Sequence, residues 1–286
     1  MFAPVFIEDV GIVSDQPVVA TLWIGDRLSW FEQLSLKSFV DAGHRTLLYS
    51  YNALPNVPAG VTLCDAREVF ASDDIIHHTR TGSPAIHADL WRLHLMQQTD
   101  YIWVDTDVLC VRPFDFASPF VFGLETPDQV CNAVLRLPAL SATLRHFMDF
   151  VADPYAIGPW LKRARQDELN AAKAAGTPVH FADRGWGLTG PAALSHFLTV
   201  TGEWAHALPQ QAFYPVPFAE RNKLIRRSIN VEQVFLTENS YAVHLWARRM
   251  KRRLVLTENN CPPKGSYLDR AVRKHGIIPE DAPIPD

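Results

Sequence analysis

No apolar run in this sequence approaches the roughly 18 consecutive residues that a membrane-spanning helix needs. The N-terminus has no basic segment followed by an apolar stretch, so no secretory leader is expected. No repeat, low-complexity tract or Pro/Gly/Ser-rich linker divides the 286 residues. We therefore expect a single domain in a cytoplasmic protein, with peripheral association at the inner face of a membrane as the alternative.

Cysteine is also rare, and positive charge is not in excess. Cys64, Cys110, Cys131 and Cys261 are far apart, with no C-x-x-C pair and no zinc-type spacing. We expect reduced, structural thiols. The formal net charge of -4 gives no broad basic field, which argues against nucleic acid as a partner. The cationic run 248–253 is the local exception, and it suits a solvated basic face, phosphates or an anionic membrane surface.

The first half of the chain alternates strand and helix patterns. Residues 18–24 and 46–51 have the composition of strands. Between them, Ser29 and Glu32 form a capping box at the start of a helical stripe. This β-α-β opening favours a parallel strand pair with a right-handed crossover. A second helix from Ser83 to about Gln98 leads into another strand, so we predict an α/β fold with a Rossmann-type mixed sheet flanked by helices.

The rest of the chain has weaker signals. Short strands are predicted at 61–63, 120–124 and 132–137, and helices at 138–151, at 159–175 and from about Pro191. The proline-rich tail predicts an irregular extension over 259–286, which leaves residues 1–258 as the main domain.

The most informative segment is a buried-type strand that runs into two carboxylates. Residues 101–104 are mostly apolar β-formers, and Asp105 and Asp107 follow with one residue between them. If the chain turns just after Asp105, both carboxylates converge on one oxygen-ligated ion such as Mg²⁺ or Mn²⁺. Open α/β sheets bind ligands outside the carboxyl ends of their strands. The alternative is an ordinary strand followed by an acidic turn.

A charged pair lies on the helix before this strand. Asp89 and Arg92 are three residues apart and therefore share one side of the helix. One interpretation is a helix-surface salt bridge, which contributes a few tenths of a kcal/mol. In the other interpretation, the Asp89 carboxylate binds sugar hydroxyls, and the Arg92 guanidinium binds a phosphate or the carboxylates that hold the metal.

The order of these blocks resembles a known family. Residues 86–92 (IHADLWR), a spacer and residues 102–108 (IWVDTDV) resemble the glycosyltransferases with a DXD sugar-binding region. That family includes α1,4-galactosyltransferases, mannosyltransferases and the glucosylating clostridial toxins. Further blocks follow in the family's order, so that the resemblance spans about residues 18–246: Thr21–Gly25 with Trp23, Asn132–Leu135, Leu188–Pro191 and Tyr241–Trp246.

The resemblance implies a GT-A-like fold and transfer of a hexose from a nucleoside-diphosphate sugar. The acceptor would be a glycan or a lipid-linked saccharide, the cofactor Mn²⁺ or Mg²⁺, and the configuration at the anomeric carbon would be retained. It also implies functional positions in this sequence. These are Asp105, Asp107 and His244 for the metal; Trp23, Asp89, Arg92, Asp105 and Asn132 for the donor; and Trp186 and Gly190 for the acceptor.

Side-chain chemistry supports several of these roles. An indole such as Trp23 can stack on a nucleobase, and an amide such as Asn132 offers a donor and an acceptor to sugar hydroxyls. Trp186, between two glycines, suits the apolar face of an acceptor sugar, and Asp183 in the same loop is the candidate to orient an acceptor hydroxyl. The alternatives are a core tryptophan for Trp23, a turn or strand-edge hydrogen bond for Asn132, and a loop tryptophan that fills the core for Trp186. For Asp183 the alternative is an ordinary acidic loop residue, and for His244 it is a structural histidine.

One departure from the family pattern follows Trp246. The family often continues with Asn, whereas Ala247, Arg248 and Arg249 stand here. A side chain that helps to hold the metal or the diphosphate is therefore missing. Our hypothesis is that the neighbouring arginines contact phosphate instead.

Two other functions compete for the same residues. Haloacid-dehalogenase-type phosphatases also place Asp-x-Asp after a strand, with the first Asp as nucleophile and the second as general acid. The later acidic pair that completes their Mg²⁺ site is not found in this sequence. A non-catalytic sugar-nucleotide-binding protein is the other alternative, because fold and motif do not guarantee turnover.

Overall fold

A computed structural model describes residues 16–72, 74–184 and 188–285. Strands β1 to β8 are, in chain order, Val19–Trp23, Thr46–Ser50, Val61–Asp65, Ile102–Val104, Val108–Cys110, Val121–Thr126, Gln129–Arg136 and Ala242–His244. Six of them form the central sheet in the order β3-β2-β1-β4-β7-β6. The first four in this order are parallel, and β7 is antiparallel to both β4 and β6. This is the α/β mixed sheet that the sequence predicts.

Helices flank the sheet on both of its faces. They are α1 to α8, in chain order Trp30–Asp41, Ala85–Gln98, Ala142–Val151, Arg163–Ala174, Pro191–Thr201, Val231–Phe235, Ala247–Thr257 and Tyr267–Lys274. Among the described residues, no helix is both long and apolar enough to cross a bilayer.

Helix α1 shows why the opening β-α-β unit forms. The backbone N–H and the hydroxyl of Ser29 both donate to the Glu32 carboxylate, which closes the predicted capping box. Trp30, Phe31 and Leu34 are fully buried, so the helix packs its apolar stripe into the core. The chain then returns as β2 beside β1, in the parallel arrangement that a right-handed crossover favours.

The central strand β4 is buried on both faces, since Ile102, Trp103 and Val104 are each at most 2% exposed. Parallel strands covered by helices on both sides are continuously apolar, which explains the run of hydrophobic residues. Beyond the carboxyl end of β4 the chain turns, because the Val108 N–H donates to the Asp105 carbonyl at 3.1 Å. This turn carries both predicted carboxylates.

A second, two-stranded sheet was not predicted from the sequence. Strand β5 pairs antiparallel with β8, and Val108 lies opposite His244 in the register. Each strand has only three residues, which is too short for a periodic signal. The pairing brings the C-terminal part of the chain against the turn that follows β4.

The tail differs from the predicted irregular extension. Helix α8 begins after Ser266, whose hydroxyl accepts the Asp269 N–H, and it buries Tyr267, Leu268 and Val272 in the same core cluster as Trp30. Apolar residues at helical spacing therefore outweigh the prolines around them. The predicted division of the chain at residue 258 stays a prediction.

Candidate active site

A cavity of about 620 Å³ lies at the carboxyl ends of β1 and β4. Its walls come from both ends of the sequence, since it includes the first turn of α2 as well as the first turn of α7. Eight residues that the sequence predicts as functional line it together: Trp23, Asp89, Arg92, Asp105, Asp107, Asn132, Gly190 and His244. The position agrees with the general rule for ligand sites in open α/β sheets.

Asp105, Asp107 and His244 form a cluster suited to a cation. One potential ligand atom from each lies within 4.8 Å of the others. Two features of the fold create this proximity: the turn after Asp105 reverses the chain between the carboxylates, and the β5–β8 register places His244 beside them. Carboxylate oxygens with an imidazole are a donor set used by Mn²⁺, whereas Mg²⁺ prefers oxygen ligands.

Asp107 also fixes the beginning of helix α7. Its Oδ2 accepts the Ala247 N–H at 2.7 Å, and its Oδ1 lies 3.3 Å from His244 Nε2. Burial would raise the pKa of Asp107, but the His244 charge and these hydrogen bonds hold it below the ordinary value. The carboxylate is therefore ionised at neutral pH. Its position at the N-terminus of α7 is favoured by the helix dipole.

The residue before α7 adopts an uncommon backbone conformation. Trp246 has φ 58° and ψ 50°, in the left-handed region that large side chains rarely adopt. Its indole N–H donates to the Val216 carbonyl at 3.1 Å, and its ring lies 4.1 Å from that of His244. These contacts hold the turn that aims the Ala247 N–H at Asp107. Such strain persists only where the surroundings fix it, and it occurs often at functional sites.

His244 satisfies a test for the implied cation. Burial lowers its pKa, but the charges of Asp107 and Asp105 raise it to a net value above the ordinary one. Its Nδ1 is buried and has no hydrogen-bond partner among the described residues. The other ring nitrogen, Nε2, faces Asp107 Oδ1 at 3.3 Å, so the fit of a cation depends on the proximity of the two carboxylates and the imidazole. The residues present therefore fit a divalent metal ion.

Asp105 is held by one group from strand β4 and one from helix α2. The Trp103 indole N–H donates to its Oδ1 at 2.7 Å, and Arg92 Nη1 lies 3.5 Å from the same oxygen. Burial raises the pKa of Asp105; the Arg92 charge lowers it and the Asp107 charge raises it further, so the net value is above the ordinary one. Its side chain is 30% exposed. Asp105 is thus the carboxylate of the cluster that a ligand in the cavity can reach most easily.

The Asp89–Arg92 pair is buried rather than on the helix surface. The two residues are 9% and 6% exposed, and Arg92 Nη2 lies 3.2 Å from Asp89 Oδ1. Asp89 also accepts the Asn132 amide at 3.1 Å and the Thr189 hydroxyl at 2.8 Å. Burial raises the pKa of Asp89, while these three partners lower it. The interpretation as a surface salt bridge is therefore wrong.

Arg92 connects this pair to the cluster. It donates to the Asn132 carbonyl at 2.7 Å, and its guanidinium lies 4.5 Å above the Trp103 ring. Because the same guanidinium faces both Asp89 and Asp105, it fixes their separation. Arginine's planar fork suits such a bridging role better than lysine's single ammonium.

Trp23 ends β1 at the wall of the cavity and is half-buried. Its indole N–H donates to the Arg27 carbonyl at 3.1 Å, and Lys251 Nζ lies 5.4 Å from its ring. Lys251 is itself ion-paired with the buried Glu32. A fully buried core tryptophan is therefore excluded, and the ring is held by α1 and α7 together.

The predicted acceptor residues have different outcomes. Gly190, at the N-cap of α5, lines the cavity, and a Cβ there would lie 3.6 Å from Asp89 Oδ2. Trp186 lies outside the described residues. Asp183 is exposed, accepts a hydrogen bond from the Thr79 hydroxyl and is not among the residues that line the cavity. The 3-10 turn Phe181–Asp183 directs this carboxylate towards Thr79, so the structure does not bring the predicted catalytic residue to the site.

Sequence reasoning missed three residues at the site. Trp103 lies two residues before Asp105, so strand alternation could have placed both on one side. Thr189 lies within the Leu188–Pro191 block, but no role followed from that block, because the bond of Thr189 to Asp89 depends on the packing of α5. Glu125 on β6 lines the cavity, and no local signal marks it, because antiparallel pairing with β7 brings it there.

Comparisons with known proteins found a family match over part of the chain and a partial likeness to a solved structure. Residues 178–264 match the family model described as the alpha 1,4-glycosyltransferase conserved region, which includes Gly190, His244 and all of α7. An apo structure of the WbbM bifunctional glycosyltransferase is similar at 16% identity, with a TM-score of 0.23, over 37% of this chain and 21% of that one. The search of curated proteins found no match. The family match supports a glycosyltransferase family for this chain.

Proposed function

We propose that this chain, which carries the conserved region of the α1,4-glycosyltransferases, transfers a hexose from a UDP- or GDP-sugar to a glycan or lipid-linked saccharide. The observation that supports this most is the shared cavity. Residues distant in sequence, from Trp23 to His244, line one space that includes the Asp105, Asp107 and His244 cluster. Retention of configuration and dependence on Mn²⁺ or Mg²⁺ are part of the proposal.

The donor would lie across the carboxyl ends of β1 and β4. The exposed face of Trp23 offers a stacking surface for the base. Asp89, Arg92 and Asn132 form a buried polar wall in which each group is already held by the others. Such a wall can orient sugar hydroxyls without further ordering of side chains, which lowers the cost of binding.

The diphosphate would lie between the acidic cluster and the first turn of α7. A divalent ion held by Asp105, Asp107 and His244 would neutralise the charge that develops as the diphosphate leaves. Arg248 and Arg249 also line the cavity at this helix start. They follow Ala247, which stands where the family pattern has Asn, and their place in the lining supports our hypothesis that arginine contacts phosphate here.

Glu125 is the candidate for the acceptor side of the site. The other three acidic residues that line the cavity are engaged, because Asp89 and Asp105 face Arg92 and Asp107 faces His244. Glu125 has no ion pair within the described residues, and its side chain accepts one hydrogen bond, from the Gln129 amide at 3.3 Å. A carboxylate with spare acceptor capacity can orient the attacking hydroxyl and receive its proton.

A donor screen tests the proposed function directly. The chain is incubated with UDP- and GDP-hexoses, with and without Mn²⁺, and released nucleotide and transferred sugar are measured. We expect transfer or slow donor hydrolysis that depends on the metal. Hydrolysis of an aryl phosphate without use of any nucleotide sugar would instead indicate the phosphatase, and binding without turnover would indicate a sugar-nucleotide-binding protein.

Three variants separate the roles within the site. Glu125→Gln should lose acceptor transfer while it keeps the thermal shift produced by the donor with Mn²⁺. Asp183→Asn should keep near-parental transfer, because that carboxylate lies outside the cavity lining. Asp167→Asn, an exposed change on α4, controls for the loss of one negative charge. A loss of transfer in Asp183→Asn alone would return the catalytic role to that residue and overturn the one proposed for Glu125.

We further propose that the protein is cytoplasmic and works at the inner face of a membrane. The proposal is supported by the cationic helix beside the cavity. It would also give the enzyme access to a lipid-linked acceptor.

A further inference from the structure

Helix α7 concentrates positive charge in a chain that is negative as a whole. Residues 247–257 contain four arginines and one lysine and no acidic residue, whereas the formal net charge of the chain is -4. The charge of this helix is therefore a local feature rather than part of a general basic surface. Only Lys251 points inward, to the buried Glu32.

The four arginines of the helix share one face with Leu256. We call this the arginine face, and it consists of Arg248, Arg249, Arg252, Arg253 and Leu256. At 100° per residue these positions span an arc of about 140°, and Leu256 falls near its middle. All four arginines are exposed, and Leu256 is 68% exposed. Met250 and Leu254, on the opposite side, are at most 1% exposed and anchor the helix in the core. The orientation of the arginine face is therefore fixed.

The arginine face begins at the mouth of the cavity. Arg248 and Arg249 line the cavity as well as belonging to this face. Phe218 also lines the cavity, is 43% exposed and packs edge-on against Trp246 at 5.4 Å. The Arg221 guanidinium lies 4.2 Å from the Phe218 ring. An exposed apolar ring and arginines thus occur together on the side where the cavity opens.

We propose that the arginine face binds an anionic lipid surface and turns the cavity mouth towards it. Helices that lie in a membrane interface combine Lys and Arg with exposed apolar side chains that enter the headgroup region. Each Lys or Arg near an anionic leaflet strengthens binding by about fivefold. Leu256 favours a lipid surface over a nucleic acid, because an apolar side chain in the middle of a phosphate contact would bury no apolar partner. This inference deepens the proposed function by naming the surface on which an acceptor would be met.

Vesicle co-sedimentation tests this with the full chain, without donor, acceptor or metal. We expect binding to vesicles of phosphatidylcholine with phosphatidylglycerol at low salt, much weaker binding at high salt, and little binding to phosphatidylcholine alone. Because neither sugar nor metal is present, the result does not depend on whether the chain is a glycosyltransferase.

Two double variants locate the surface. Arg252→Glu with Arg253→Glu should lower the affinity for anionic vesicles at least about tenfold. Arg163→Glu with Arg165→Glu changes the net charge equally on α4, an exposed helix, and should bind as the parent does. Leu256→Ser should weaken binding by a smaller factor. Near-parental melting temperatures are required, and Arg252→Gln with Arg253→Gln replaces the charge reversal if it unfolds.

Several results would overturn the inference. These are equal binding to neutral and anionic vesicles, the same loss in the α4 control, or unchanged binding after charge reversal on α7. Binding to RNA as tight as to anionic vesicles would also overturn it, in favour of a general polyanion surface. A further readout separates docking from catalysis: the Arg252/Arg253 variant should keep the parental rate with a soluble acceptor, since neither residue lines the cavity.

Discussion

Asp89 and Asp105 face the same guanidinium, that of Arg92, but their surroundings differ. The side chain of Asp89 is 11% exposed, and both its oxygens are bonded to side chains of the protein. The side chain of Asp105 is 30% exposed and shares its cluster with a buried His244 nitrogen that has no partner among the described residues. The first region is complete as it stands, and the second has unused binding capacity. Completed polar networks fix geometry, whereas incomplete ones indicate where a ligand binds.

The largest expected effect comes from the incomplete region. Asp107→Asn keeps an oxygen that can accept the Ala247 N–H, so helix α7 should still form. It removes a negative charge from the cation cluster, and sugar transfer should fall by roughly 100-fold or more. Steady-state transfer assays with saturating Mn²⁺ measure this, beside a thermal melt. Near-parental transfer in Asp107→Asn would show that the cluster is not where the metal acts.

The complete region should respond in stability first. Arg92→Met leaves Asp89 buried without its ion pair and removes the contact with Asp105. Removal of one partner of a buried ion pair typically lowers the free energy of unfolding by roughly 3 to 5 kcal/mol. Denaturant unfolding measures this cost, and Arg92→Lys should recover part of it. An unchanged free energy of unfolding with weaker donor binding would show that Arg92 serves the ligand rather than the fold.

Two buried histidines extend the comparison to pH. Burial, with a smaller effect of the His77 charge, lowers the pKa of His87 to about 4, whereas the pKa of His244 is raised. The His87 ring lies 2.8 Å from the Tyr51 hydroxyl and accepts the Ile76 N–H at 3.3 Å, so it is held neutral. Below pH 6.5 the unfolded chain binds a proton at this position that the folded protein does not bind until about pH 4.

Stability should therefore fall as the pH falls through that window, by at most about 3 kcal/mol from His87. In His87→Gln this part of the pH dependence should be missing. Free energies of unfolding measured at several pH values between 7 and 4 compare the two proteins. Identical pH dependence in both would mean that His87 is protonated in the folded state as readily as in the unfolded one.

The smallest predicted effect is at the base-stacking wall. Lys251→Met keeps the length of the side chain but removes the ion pair with Glu32 and the cation beside Trp23. Donor affinity should fall roughly three- to tenfold, in the range of one cation–π contact and one partly buried ion pair. Titration of the donor by tryptophan fluorescence measures this, with Arg252→Met on the same helix as the control. Equal donor affinities in the two variants would show that Lys251 does not contribute to donor binding.

Particular residues show how far the sequence could be interpreted. The Ser29–Glu32 capping box, the helix that ends at Gln98 and the strand before Asp105 were predicted and confirmed. These depend on local spacing, which is visible in a single sequence. The surface interpretation of Asp89 and Arg92 was wrong, because helical spacing shows that two residues share a side but not whether that side is buried. Asp183 was predicted from a loop, where spacing gives no direction for a side chain.

Local spacing along the chain was enough to place two carboxylates at the carboxyl end of a buried strand in an α/β sheet. Periodicity and apolar content decide that much, because they control which backbone hydrogen bonds form locally and which faces avoid water. Which groups meet there depends on how distant segments pack in the folded protein. The β5–β8 pairing brings His244 to Asp107, and the β6–β7 pairing brings Glu125 to the cavity. Contacts between distant segments depend on packing and register, and no short stretch of sequence encodes them.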